Sequence, residues 1–115
     1  MEKTIKIEIH THDRKLLSDI LENSSVSMGD ETNISDQARI KYDGSYIRKA
    51  LGFPEIIYLI LTFSSGVSAG VIANWLYDKL KKKNIEKLII DKTEVEINKE
   101  EITKIIIEII KIEKN

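Results

Sequence analysis

The residues of this chain whose types and spacing come nearest to a reactive group are His10-Thr11-His12-Asp13. Two histidines at i, i+2 can share a metal ion, but a catalytic metal site needs about three protein ligands and a shell that orients them. These are the only histidines and there is no cysteine. Asp13 is better explained as a helix cap. The group therefore reads as a polar turn at a strand end. Ser64, Ser65 and Ser68 lack both the G-x-S-x-G turn and a placeable base that a nucleophile would require. Gly66 and Gly70 fall inside a predicted helix, so they make no phosphate-binding loop. Glu100-Glu101 open a helix, where carboxylates suit the dipole. No catalytic residue, metal or cofactor is expected.

One basic cluster, Lys79, Lys81, Lys82, Lys83 and Lys87, lacks the interleaved aromatics of a nucleic-acid reader and reads as a solvated helix end. Charged residues make up 32% of the 115 and leave a net charge of −1, so no strong field draws in nucleic acid or an anionic membrane. The opening residues MEKTIKIEIH carry no signal-peptide run, and the lack of cysteine suits a reducing compartment, so a cytoplasmic location is expected.

The elements that must position these residues follow from periodicity. Ile5, Ile7 and Ile9 alternate with Lys6, Glu8 and His10, as in a half-buried strand. Leu16, Leu17, Ile20 and Leu21 recur at helical spacing behind Asp13. Residues Asn23 to Asp36 read as loop. Ala38, Ile40 and Tyr42 alternate again, giving a second strand that ends at Asp43-Gly44. Tyr46, Ile47, Ala50 and Leu51 share one face of a short helical turn. Two further strands flank Asp91-Lys92, with Val95 and Ile97 inward. Asn98 and Glu101 resemble a capping box ahead of an Ile102, Ile105, Ile106, Ile109, Ile110 stripe.

Between them runs the stretch that dominates the chain, uncharged from Ile56 to Tyr77. Pro54 fits a first helical position and the lysines fit the far end, with Asn84 to close it, predicting one long helix at about 54–83. It is long enough to span a bilayer, which needs about 20 residues. A span would place Ser64-Ser65-Gly66 at the bilayer centre and divide the strands into two marginal sheets. The expected architecture is instead α+β: a single four-stranded sheet with two or three helices packed on it, in the order β-α-β-α(long)-β-β-α, in one domain. A helix of 30 residues is about 45 Å long, more than a globule of this size spans, so it bends at Ser64-Ser65-Gly66 or projects. Thr62, Ser65, Gly66, Ala69, Gly70 and Ala73 form a stripe of small residues that would admit another backbone closely, with Trp75 on the opposite, bulkier face beside Ile60, Val67 and Val71. The stripe and Trp75 are the expected partner-binding residues, toward the chain's own core, a second copy or another protein.

This layout resembles the bacterial effector-associated constant component domains. The resemblance lies in the Ile5-Ile7-Ile9 strand, Leu51-Gly52, Ser65-Gly66 to Gly70, and Asn74-Trp75-Leu76 before a basic tail. It implies a small non-catalytic module of bacterial conflict or antiphage systems, working beside a protease, NTPase or other effector. The expectation is thus an adaptor or scaffold that acts by assembly with a protein partner or as a homo-oligomer. The alternatives are a membrane-anchored regulator with residues 56–77 as its span, and an immunity or inhibitor protein.

Overall fold

Residues 55–64, EIIYLILTFS, decide the architecture, and they form a strand. The computed structural model describes residues 2–47, 52–64 and 66–114. Its elements are β1 (Glu2–Thr11), α1 (Leu16–Leu21), β2 (Glu31–Ser35), β3 (Ala38–Tyr46), β4 (Glu55–Ser64), α2 (Ala69–Leu80), β5 (Ile85–Ile90), β6 (Thr93–Val95) and α3 (Lys99–Lys114). The fold is α+β, but its antiparallel sheet has six strands rather than four, in the order β2-β3-β4-β1-β5-β6.

The expected helix at about 54–83 is therefore two elements. In β4 the isoleucines, tyrosine, threonine and phenylalanine suit a pleated backbone. Ile57, Leu59, Leu61 and Phe63 are buried on one side, while Ile56, Tyr58 and Ile60 point to the other. Apolar residues on both sides removed the alternation that marks a strand. Pro54 precedes β4 instead of opening a helix. Ser64 and Gly66 do not kink a helix but belong to the turn into α2, where the Val67 N–H donates to the Ser64 carbonyl at 3.1 Å. At 12 residues α2 spans about 18 Å, so nothing projects.

β1 is the partner that holds β4 in place. The two pair along their whole length, from Glu2 opposite Ser64 to Thr11 opposite Glu55. Ile5, Ile7 and Ile9 face the same way as the buried side of β4. Over this face lie Leu16, Ile20 and Leu21 of α1, Ile72, Ala73, Leu76 and Leu80 of α2, and Ile102, Ile106 and Ile109 of α3, in one core. The α3 stripe is thus as the sequence predicts. Asn98 caps it, its Oδ1 accepting from the Glu100 and Glu101 N–H groups at 2.8 and 3.3 Å.

Smaller differences have local causes. The polar 23–36 stretch contains β2, a short edge strand with little apolar content. β3 runs past Asp43-Gly44 to Tyr46 because a register shift between Tyr42 and Ser45 absorbs the glycine. Gly44 has φ +111°, and Met28 Cε would stand 3.2 Å from a β-carbon there. The expected helical turn through Tyr46 is strand at that residue, and Ala50 and Leu51 lie outside the described residues. Asp13 does not cap α1: Lys15 holds the N-cap position with no side-chain cap hydrogen bond, and the Asp13 carboxylate accepts from the Lys15 N–H at 2.9 Å in the turn before the helix. Asn84 does not close α2, which stops at Leu80. Its carbonyl accepts instead from the His12 N–H and from Thr11 Oγ1.

Candidate partner-binding surface

The small residues expected to form one stripe are dispersed. Thr62 lies on β4, Gly66 in the connection to α2, and Ala69 and Gly70 in the first turn of α2. Ser65 lies outside the described residues. Ala73 is fully buried in the core. A β-carbon on Gly66 would meet the Gln37 amide at 2.8 Å, and one on Gly70 would make only ordinary contact with Ser68 Oγ at 3.6 Å. Trp75 is half-buried against the core, with Lys79 Nζ 5.7 Å above its ring.

The histidines are separated into two carboxylate pairs. His10 Nε2 sits 2.7 Å from Glu8 and His12 Nε2 sits 2.9 Å from Glu86. No group of three potential metal ligands occurs among the described residues. Two lysines of the basic cluster tie the C-terminal end of α2 to α1. Lys79 donates to Glu22 at 3.0 Å and to the Asp19 carbonyl at 2.9 Å, and Lys83 reaches the Asp19 carboxylate at 2.6 Å. That hydrogen bond and the charge of Asp19 raise the Lys83 pKa above its ordinary value. Lys81 pairs with Asp78 at 3.2 Å.

What stands out lies on the side of the sheet away from the helices. Strand register sets out its rows. Tyr46, Ile56, His10 and Lys87 form one, Tyr58, Glu8, Ile89 and Glu94 the next, and Lys41, Ile60 and Lys6 a third. A final row places Arg39, Thr62 and Thr4 side by side. Arg39 makes a two-pronged hydrogen bond to Glu2, at 2.8 and 3.3 Å, and also approaches Glu31 at 3.4 Å. That pair crosses β4 at Thr62, which accounts for the burial of a residue on an otherwise open face. It also sets the ionisation of both partners: hydrogen bonding and charge hold the Glu2 carboxyl below its ordinary pKa and lift Arg39.

An open antiparallel face ordinarily carries polar residues. Here the strand near its middle offers Ile56, Tyr58 and Ile60, with Tyr46 beside Ile56. Tyr58 is 37% and Tyr46 53% exposed. Ile47, Phe53 and Met28, also exposed, lie near the same end of β3 and β4. Among the described residues, five of the seven large exposed hydrophobics thus lie near one strand end or on the adjoining face. Reading the sequence by helical spacing missed them. Their signal was an apolar run too rich in β-branched and aromatic residues for a helix.

No helix among the described residues is long and apolar enough to cross a membrane, and the 56–77 stretch is part strand, part helix. Compared with known proteins, the chain is matched by no family model, no curated protein and no solved structure.

Proposed function

We propose that this chain is a non-catalytic assembly module, an adaptor whose open sheet face holds a protein partner. The observation that carries the reading is the apolar row Ile56-Tyr58-Ile60 on a strand that no helix among the described residues covers on that side. Contiguous exposed apolar surface rimmed by charge is the usual mark of a protein interface, and tyrosine at its centre suits an anchor. Lys6, Lys41 and Glu8 supply that rim, offering partners of both signs and fixing register more than affinity. The resemblance to effector-associated constant component domains supports the setting: bacterial conflict or antiphage defence, with a protease or NTPase effector as the partner.

The test is tagged recovery from the native host together with light scattering, for the wild type and for Tyr58→Lys/Ile60→Glu. An exposed position on the helical side, Ile107→Glu, is the control. The face variant should stay folded by circular dichroism and lose a defined partner that the control retains. A wild type that is monomeric and recovers no partner, or a face variant that keeps its partner, would overturn the reading.

A further inference from the structure

A second surface, on the sheet's edge and not its face, has the form of a strand acceptor. We propose that the outer edge of β6, together with α3, binds an extended basic segment of another polypeptide by strand addition.

Three observations converge. The first is the backbone. Asp91 and Lys92 both have positive φ, 48° and 71°, as a two-residue hairpin of type I′ requires. In such a hairpin Ile90 and Thr93 exchange backbone hydrogen bonds, and so do Leu88 and Val95. The intervening pair, Ile89 and Glu94, does not. The Glu94 N–H and carbonyl therefore point away from β5 toward the open edge, where an incoming strand can take both. Its reach is short, because the Glu96 carbonyl already accepts from the Asn98 N–H at 2.8 Å.

The second is shape. A groove of about 380 Å³ runs between β6 and α3, floored by Thr93, Val95 and Ile105. It meets a second hollow of about 420 Å³ at Glu94-Val95-Glu96, beside the part of β5 that β6 is too short to cover. Edge strand, groove and flanking helix are the parts used when domains capture extended peptides. Main-chain hydrogen bonds give affinity, and alternate side chains enter the groove.

The third is charge, which selects the occupant. The groove carries Glu94, Glu96, Glu101 and Glu108 against a single ammonium, Lys104, itself 3.8 Å from Glu101. A second copy presenting the same edge would bring like charges together, and nucleic acid would be repelled. Lysine or arginine fits at the alternate positions beside Glu94, with small apolar residues between them reaching Val95 and Ile105, while Glu101 and Glu108 on α3 add to the negative field.

The proposal does not rest on the open face and can fail or hold apart from it. Its test uses the full chain and three end-blocked heptapeptides: alternating lysine–valine, alternating glutamate–valine, and the lysine–valine peptide N-methylated at two successive central residues, which blocks both of its edges. Titration followed by amide NMR should show the basic peptide shifting the Glu94 and Val95 resonances and slowing exchange of the Glu94 amide. The methylated peptide should bind roughly tenfold more weakly and the acidic one should not bind. In Glu94→Lys/Glu108→Lys, both changes at exposed positions, the preference should invert toward the acidic peptide. Equal binding of the basic and methylated peptides, shifts confined to the sheet face, or no binding of the basic peptide would each overturn the proposal.

Discussion

Adjacent residues on β4 should respond oppositely to the same substitution. Leu61 is completely buried and Ile60 faces the open side. Placing glutamate at 61 forfeits about 2–3 kcal/mol of side-chain burial and leaves a carboxylate among Ile5, Ile40 and the helices, at a cost of several kcal/mol more. Together that is about 5 kcal/mol or more, against a total stability of about 5–15 kcal/mol for a domain of this kind. At 60 the loss is about 1 kcal/mol, because the isoleucine is only partly covered. Lys6 and Lys41 stand directly opposite on the two neighbouring strands. Each can pair with the new carboxylate for about 0.2–1 kcal/mol, returning most of that loss. Urea denaturation followed by circular dichroism should find Ile60→Glu within about 1 kcal/mol of the wild type and Leu61→Glu without a cooperative transition. Similar destabilisation at both positions would refute the strand assignment and the open face with it.

On α2, Gly70→Ala should raise stability by about 0.5 kcal/mol, since alanine is the better helix former and the added methyl has room. Ala73→Leu should lower it by about 1–3 kcal/mol through overpacking; thermal melts distinguish this from the tolerance expected of a surface stripe. Removing the cap of α3 with Asn98→Ala should cost about 1 kcal/mol in the same assay. Two exposed pairs predict pH dependence of opposite sense. The Glu2–Arg39 contribution is present above the ordinary carboxylate pKa and is lost as pH falls through the lowered value, so wild type and Glu2→Gln should converge in acid. The Lys83–Asp19 contribution is present below the ordinary lysine pKa and is lost as pH rises through the raised value, so wild type and Asp19→Asn should converge in alkali.

How much of the fold is legible in the sequence depends on whether an element has one buried side or two. β1 alternates because Lys6 and Glu8 meet water while Ile7 and Ile9 do not, and α3 shows its stripe because only one face meets the core. β4 has no such contrast: its second side is largely apolar too, and the apolar run Ile56–Leu61, uncharged onward into the next element, resembles a single long helix. Ser64 and Gly66, read as a bend within one helix, lie where β4 gives way to the turn into α2, so that reading did not separate the two elements. β2 was invisible for the opposite reason, having too few apolar residues to declare a period. The expected partner stripe dissolved with the helix that carried it. Ala73 went to the core, and Thr62 went under the Arg39–Glu2 pair. The residues proposed in its place, Ile56, Tyr58 and Ile60, belong to the same run.

Charges surround that row, and charged neighbours are a device that opposes edge-to-edge and face-to-face association of apolar strands. Lys6 and Glu8 on one side and Lys41 on the other border β4 with charged side chains. Such a border raises the cost of flat sheet-on-sheet stacking and admits a partner whose own charges match it. The edge groove at β6 is separated from β4 by β1 and β5, about 14 Å away at ordinary strand spacing. It is entered sideways, through backbone, while the face is entered from above, through side chains. A ligand at either surface therefore leaves the other accessible, and two different attachments on one small sheet are what a module that joins proteins together requires.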